Sequence, residues 1–310
     1  MTKILITGGA GFIGSSLAEK LISTGKYFVV LVDNLLTGHI DKVPADARCK
    51  FIKCDVNNYH DIAAIMTSFQ FDYVFHYAAV VGVKRTLDNP VMVLNDLEGI
   101  KNVLNLCKNT GVKRIFFASS SEVYGEPVEL PQHEQTTPLN SRLPYAVVKN
   151  VGESFCRSYE KEFGLNYTIF RFFNTYGPKQ SIDFVISKFL KAALANLPIT
   201  IHGNGQQTRT FCYIHDNVDC AVKILEENLV VNDVINIGNE IDITVLDLAK
   251  TIIDLTGSSS KIEFLPPLKE GDMLRRQPDA SKMKRILRRD LITLSDGLKR
   301  ILNSEMAFLR

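Results

Sequence analysis

Residues Ile4 to Gly14 read Ile-Leu-Ile-Thr-Gly-Gly-Ala-Gly-Phe-Ile-Gly, and no other stretch limits the fold of this chain as strongly. An apolar run of strand length enters closely spaced glycines, and a helical pattern leaves them through Ser16, Leu17, Glu19, Lys20 and Leu21. The reading is strand, tight turn, helix. Gly9-Ala10-Gly11-Phe12-Ile13-Gly14 satisfies G-x-G-x-x-G, and Gly8 adds the wider G-x-x-G-x-x-G spacing. Such a turn lets backbone approach a pyrophosphate with no Cβ in the way, and the helix behind it offers free N–H groups and the positive end of its dipole. Gly8, Gly11, Phe12, Ile13 and Gly14 are therefore candidate cofactor contacts. An ordinary tight turn could carry the same glycines, so the context matters. A second apolar run, Phe28 to Val32, ends in Asp33, about twenty residues on, where a carboxylate accepts from adenosine ribose hydroxyls. No Arg follows at once to receive a 2′-phosphate, which points to NAD and not NADP. The plainer role for Asp33 is a cap on the strand.

Strand and helix patterns alternate beyond Asp33. Strands are expected near Phe51 to Lys53, at Tyr73 to His76, Arg114 to Ala118 and Tyr167 to Phe172. Helices are expected near Tyr59 to Phe69, Pro90 to Asn109 and Tyr145 to Phe163. Such alternation predicts an α/β fold, a Rossmann-type doubly wound parallel sheet whose ligand crevice lies at the carboxyl ends of the strands. Asp55 and Val56, just past the third strand, are placed to meet an adenine. Ala78 and Ala79, past the fourth, are small where a cofactor ring must pass. Both pairs are equally compatible with ordinary loop. After Asn174-Thr175-Tyr176-Gly177-Pro178 the elements shorten, which predicts a cofactor-binding domain over 1–175 and a smaller mixed α/β substrate-binding lobe over 176–310, with some chain crossing between them.

Composition narrows the class of function. The chain has 310 residues, 45% hydrophobic and 23% charged, and a net charge of +2, which asks for no nucleic acid or membrane partner. No apolar run approaches the roughly twenty residues of a membrane span. Met1-Thr2-Lys3 leads straight into the first strand, so a cytoplasmic location is expected. The six cysteines form no C-x-x-C pair and the six histidines do not cluster, so no metal is expected.

Tyr145 and Lys149 stand at i and i+4, on one face of the expected helix. A phenol ordinarily titrates near pH 10, about three units too high for a base, and a neighbouring ammonium favours the phenolate. Lys149 can also hold a nicotinamide ribose. Ser119-Ser120-Ser121-Glu122 follows the fifth strand at the edge where chemistry is expected. If the extended conformation persists, Ser120 and Glu122 point to the same side. Ser120 would then share a proton with Tyr145, and Glu122 would bring a second acid or base. For both, an ordinary solvated loop is the alternative.

These motifs together resemble extended short-chain dehydrogenase/reductases of the nucleotide-sugar epimerase/dehydratase family. The resemblance runs from Gly8, Gly11 and Gly14 through Ser120, Tyr145 and Lys149 to Arg171-Phe172-Phe173-Asn174 and Gln207-Thr208-Arg209-Thr210-Phe211. It implies a nucleotide-diphosphate sugar substrate, with Asn174 and Arg209 holding the diphosphate, and a homodimer formed through the helices near Pro90 to Asn109 and Tyr145 to Phe163. It also implies a mechanism: oxidation at sugar C4 to a ketone, followed by epimerisation, dehydration or decarboxylation. Glu122 resembles dehydratases and UDP-glucuronate decarboxylases, since simple 4-epimerases usually carry a small Ser or Thr there. Arg142 resembles decarboxylases and GDP-mannose dehydratases. Ser121 stands where the dTDP-glucose dehydratase carries Asp, and Pro144-Tyr145-Ala146 resembles the epimerase and dehydratase form. Arg276 resembles a decarboxylase arginine that meets the carboxylate; a solvated charge run is the alternative. One departure stands out. Where relatives usually carry Asn three residues before the glycine of the long helix, this chain has Asp96. The expectation is an enzyme that decarboxylates or dehydrates through Glu122, with a 4-epimerase as the alternative and a non-catalytic NAD-binding sensor as a remote one.

Overall fold

The computed structural model describes residues 1–267 and 275–304, the side chains of Val83 and Lys84 apart. The first half alternates as the periodicity requires: β1 (Thr2–Thr7), α1 (Phe12–Ser23), β2 (Tyr27–Asp33), β3 (Cys49–Lys53), α2 (Tyr59–Phe69) and β4 (Tyr73–His76). Three helices follow, α3 (Val83–Asp88), α4 (Pro90–Leu94) and α5 (Asp96–Thr110), then β5 (Arg114–Ser120), α6 (Pro144–Phe163) and β6 (Asn166–Phe172). The single helix expected from Pro90 to Asn109 is thus divided at Asn95, just before Asp96, whose carboxylate accepts from Val80 N–H at 2.7 Å.

Later elements are shorter: β7 (Thr175–Tyr176), α7 (Val185–Leu194), β8 (Ile199–His202), β9 (Thr208–Thr210), β10 (Cys212–Tyr213), α8 (Ile214–Glu226) and β11 (Asp233–Ile237). The chain continues through β12 (Asp242–Thr244), α9 (Val245–Thr256), β13 (Ile262–Leu265), α10 (Ser281–Leu287) and α11 (Leu294–Leu302).

Two compact units result. The first comprises Met1–Val123, Leu139–Phe172 and Val218–Ile235, and the second Tyr124–Pro138, Phe173–Asn217 and Asn236–Arg310. The first is built on a seven-stranded sheet of order β11-β6-β5-β4-β1-β2-β3, parallel from β6 to β3. The sheet does not end at β6, where the sequence pattern placed its last strand; β11 extends it after a long excursion of the chain. Asn232 fastens that return, since its backbone N–H donates to Tyr167 O at 2.7 Å and its Oδ1 accepts from Tyr167 N–H at 3.0 Å.

Strands buried on both faces read as unbroken apolar runs rather than alternating ones. Ile4, Leu5 and Ile6 of β1 and Val29 to Val32 of β2 are wholly buried, and Ile115 to Phe117 of β5 nearly so. Helices cover both faces. The second unit is held by three two-stranded pairings, β10 with β7, β12 with β9 and β13 with β8. Its α9 and α11 begin at Thr244 and Thr293, whose hydroxyls accept from the N–H groups of Asp247 and Asp296 and so satisfy helix ends that otherwise lack partners.

Candidate active site

The glycine turn lies where β1 hands over to α1. Gly8 has φ +69°, and a Cβ on it would sit 2.8 Å from the Ala78 backbone nitrogen. A Cβ on Gly14 would sit 2.4 Å from Gly8 O, so α1 can leave the turn only if this residue is glycine. Gly11 caps α1 without any side-chain bond to its first N–H groups, leaving that end open to an anion. Asp33 closes β2 as expected. Its Oδ2 accepts from Ala10 N–H at 3.1 Å and its Oδ1 from Leu35 N–H at 2.8 Å, which leaves each oxygen a lone pair for a ribose hydroxyl. Burial raises this carboxyl above its ordinary range, opposed by those two N–H groups and by the charge of Lys42. An open helix end, a turn stripped of Cβ atoms and an under-filled carboxylate fit a dinucleotide.

Asp55, Val56, Ala78 and Ala79 follow the carboxyl ends of β3 and β4. Asp55 Oδ1 accepts from Asn57 N–H at 2.9 Å, Val56 is buried, and Ala78 N–H donates to Thr7 Oγ1 at 3.1 Å. Ala79 is half-buried in the loop that follows β4. Thr7 and His76 were not legible as site residues. Thr7 Oγ1 also accepts from Tyr77 N–H at 3.1 Å, which fills both of its lone pairs. Its own proton must therefore go to His76 Nδ1, 2.9 Å away, leaving the imidazole proton on Nε2. Burial first, and then the charge of Lys149, lower the pKa of His76 to about 3, so the ring stays neutral.

Tyr145 and Lys149 share one face of α6. Lys149 Nζ lies 5.6 Å from the centroid of the Tyr145 ring and 5.3 Å from that of Phe117, and the side chain is buried. Burial draws the Lys149 ammonium down to about 8, against the favourable charge of Asp96. β5 brings Ser120 to its carboxyl end, 8% exposed. There the extended conformation stops, because Ser121–Tyr124 forms a 3-10 turn. The side-by-side placement of Ser120 and Glu122 expected from a continuing strand therefore does not hold. Instead Glu122 N–H donates to Ser120 Oγ at 3.1 Å. That bond occupies one lone pair of the hydroxyl and leaves its proton to be given elsewhere. Arg142 lies exposed just before α6.

One buried network had only a faint sequence signal. Arg171 Nε and Nη2 donate to the two oxygens of Glu153 at 2.9 and 2.8 Å, Ser119 Oγ donates at 2.7 Å, and Arg157 Nη2 at 3.0 Å. Glu153 is wholly buried and Arg171 2% exposed. Burial alone would raise the Glu153 carboxyl, but the hydrogen bonds and charge of Arg171, with Ser119 and Arg157, hold it below its ordinary value. With Ser119 the pair ties β5, α6 and β6 together one residue before Ser120. Glu153 stands four residues past Lys149, so the signal in the sequence is a carboxylate on the inward face of an amphipathic helix.

In the second unit, Asn174 Nδ2 donates to Thr210 O at 3.0 Å and Asn174 O accepts from Cys212 N–H at 3.2 Å. Arg209 lies on β9 opposite Ile243, with Nη1 donating to Thr208 O at 2.7 Å. The strand pairings thus bring Asn174 next to the segment that carries Arg209. Arg276 is 7% exposed, unlike a residue in a solvated charge run, whereas Arg275 beside it is exposed.

Residues 4–238 match the NAD dependent epimerase/dehydratase family. The chain belongs to that family. It is 36% identical over 306 residues to a UDP-N-acetyl-alpha-D-glucosaminuronate decarboxylase of Bacillus cytotoxicus, covering 91% of this chain and 90% of that one. Its fold superposes on the UDP-glucose 4-epimerase of Thermotoga maritima, solved with UDP-glucose, at TM-score 0.91 and 31% identity over 97% of both chains. It also superposes on a UDP-glucuronic acid 4-epimerase from Bacillus cereus, solved with UDP-glucuronic acid and NAD, at TM-score 0.88 and 32% identity over 99% of both chains. As a member of this family the protein is an NAD-dependent enzyme. Among the described residues no helix is long and apolar enough to cross a membrane.

Proposed function

We propose that the protein oxidises a nucleotide-diphosphate sugar at C4 and then uses Glu122 to complete a decarboxylation or dehydration, restoring its cofactor within the same turnover. The observation that carries this reading is the pairing of Tyr145 with a buried Lys149 ammonium on one face of α6. In this reading the Tyr145 phenolate, favoured by that ammonium, takes the proton of the sugar 4-hydroxyl, while Ser120 donates its remaining proton into the same hydrogen-bonded set. Bound NAD supplies the hydride acceptor at C4 and the hydride that is later returned. The 4-ketone makes a C6 carboxylate a β-keto acid: the C5–C6 bond breaks, carbon dioxide leaves, its electron pair passes into the enolate, and Glu122 returns a proton to C5. Dehydration uses the same carboxylate to remove the C5 proton as hydroxide leaves C6. Asn174 and Arg209 would hold the diphosphate, since a planar guanidinium matches phosphate oxygens.

Of the two outcomes, decarboxylation of a nucleotide uronic acid has the better support. A decarboxylase is among the relatives, UDP-glucuronic acid is bound in a structural neighbour, and the buried Arg276 suits a substrate carboxylate. The second reading is a 4-epimerase acting on the same class of sugar, favoured by the likeness to the Bacillus cereus enzyme over nearly the whole chain. Incubation with UDP-, dTDP-, GDP- and CDP-sugars, including uronic acids, separates them. Loss of carbon dioxide in the product mass identifies the decarboxylase, loss of water the dehydratase, and unchanged mass with an altered sugar NMR spectrum the epimerase. Absence of any product from the whole panel would overturn the proposal.

A homodimer through α4, α5 and α6 is part of the same proposal, supported by the exposed apolar side chains Val91, Leu94 and Val147 on α4 and α6. A monomer in sedimentation at micromolar concentration would refute it.

A further inference from the structure

Ser119 is the last residue of β5 whose side chain turns toward α6, and it stands opposite Arg171 in the pairing of β5 with β6. Paired residues put their side chains on one face of a sheet, and Glu153 of α6 reaches onto this pair. Its Oε1 accepts from Ser119 Oγ at 2.7 Å and from Arg171 Nε at 2.9 Å. Its Oε2 accepts from Arg171 Nη2 at 2.8 Å and from Arg157 Nη2 at 3.0 Å. Both lone pairs of each oxygen are thereby used, so the buried carboxylate has one orientation. Two residues earlier on the same face of β5, the Phe117 ring centroid lies 5.3 Å from Lys149 Nζ, and a Cβ on Gly152 would overlap that ring. Two neighbouring contacts thus set α6 on the end of β5: the bare backbone of Gly152 against Phe117, and the Glu153 carboxylate on Ser119. One residue later the strand ends at Ser120, whose Oγ accepts from Glu122 N–H at 3.1 Å.

Resting on the proposed roles of Ser120, Tyr145 and Lys149, we propose that Ser119 and Glu153 are positioning residues: their hydrogen bond fixes the end of β5 against α6 and so holds the Ser120 hydroxyl in place relative to Tyr145 and Lys149. Replacing a whole buried ionic set by apolar side chains of similar volume is often neutral or favourable, so such a set is a poor device for stability alone. With every lone pair filled it permits one arrangement, whereas apolar contact between Phe117 and Gly152 lets a helix slide. Lys149 stands about one turn and Tyr145 about two turns before Glu153, and a helix is stiff enough over that length to pass the constraint to both. Chemistry between positioned groups depends steeply on distance, since a misplacement of about 1 Å can cost about 10²-fold in rate.

The test is single-turnover NADH formation by Ser119→Ala, over a range of concentration of a nucleotide sugar that the wild-type protein accepts. The variant keeps the Arg171 fork on Glu153, so a purely structural role would lower the urea midpoint and leave the limiting rate of the folded protein unchanged. The positioning role predicts a limiting rate at least about tenfold lower with half-saturation in place, and recovery in Ser119→Thr, which restores the hydroxyl. A wild-type limiting rate in Ser119→Ala would overturn it. Amide exchange reads the same contact without turnover. Once Ser119 no longer pins the strand end, the Glu122 N–H that donates to Ser120 Oγ should exchange about tenfold faster, while the amides of β1 and β2 keep their rates. Unchanged Glu122 exchange would equally overturn the proposal. Should Ser119→Ala not fold, Ser119→Cys keeps the volume with a far weaker donor and must show the same two losses. No NADH from any nucleotide sugar in the wild-type protein would instead remove the reading of the site, while the exchange measurement would still decide the positioning.

Discussion

Replacing Arg171 by Met removes the guanidinium fork from Glu153 while keeping most of the buried volume. The carboxylate would keep Ser119 at 2.7 Å and Arg157 at 3.0 Å, but the Arg157 side chain is 42% exposed and its charge is largely screened by water. Two charge-assisted bonds are lost, each worth about 1.5–3 kcal/mol, and removing one partner of a buried pair costs about 3–5 kcal/mol in all. With Arg157 and Ser119 still in place, the lower end applies, about 3 kcal/mol near pH 7. The sign of the pH dependence is a second check. In the wild-type protein Glu153 lies below its ordinary value, so its contribution is present above the unfolded pKa and lost as pH falls through the folded one. In the variant burial is less opposed, the folded pKa rises above the unfolded value, and the stability deficit shrinks as pH falls toward 5. The chain has no Trp, so urea unfolding is best followed by circular dichroism or tyrosine emission at pH 8 and pH 5. Adding Glu153→Gln to the variant removes the stranded charge and should recover part of the loss. A deficit under about 1 kcal/mol, or one equal at both pH values, would refute the reasoning.

Three further perturbations reach other parts of the site. Gly14→Ala puts a Cβ 2.4 Å from Gly8 O, and strain of about 1–3 kcal/mol should lower NAD affinity by about 5- to 150-fold; wild-type NAD content after purification of the variant would contradict this. His76→Asn removes a ring that stays neutral when folded down to about pH 3 but takes up a proton below about 6.5 when unfolded, so the wild-type protein should lose about 2 kcal/mol more than the variant between pH 7 and pH 5. Parallel urea midpoints at the two pH values would argue against a buried neutral imidazole. Glu122→Gln should leave NADH formation intact and slow the later step by roughly 10²–10⁴, so that NADH and a 4-keto sugar build up; near wild-type turnover would reduce Glu122 to a loop carboxylate.

The sheet from β1 to β6 was legible because parallel strands buried on both faces write themselves as apolar runs, as Val29 to Val32 do, and because the glycine turn fixes where β1 ends. The return of β11 to the sheet edge was not legible, since Asp233–Ile237 is a short strand set far along the chain and its neighbour is chosen by Asn232 and Tyr167 rather than by periodicity. The placement of Tyr145 and Lys149 on one face of α6 and of Ser120 at the end of β5 was legible because it follows from helix and strand geometry. The placement of Glu122 beside Ser120 was not legible, because the 3-10 turn that begins at Ser121 ends the alternation on which that expectation depended. Thr7, His76 and the Glu153–Arg171 pair escaped because the contacts that give them meaning reach buried groups distant in sequence. A single chain shows such residues only as polar letters within apolar stretches.

The central claim is that hydride leaves sugar C4 and comes back to the same sugar without net reduction of the cofactor. The most direct measurement supplies an accepted nucleotide uronic acid carrying deuterium at C4 to the enzyme with its bound NAD, in ordinary water, and follows the label by mass spectrometry and NMR. The account predicts one deuterium in every product molecule, at C4 after decarboxylation or epimerisation, with no lasting rise in reduced nicotinamide. Product that has exchanged its label for solvent hydrogen, or deuterated NADH accumulating in step with product, would contradict it.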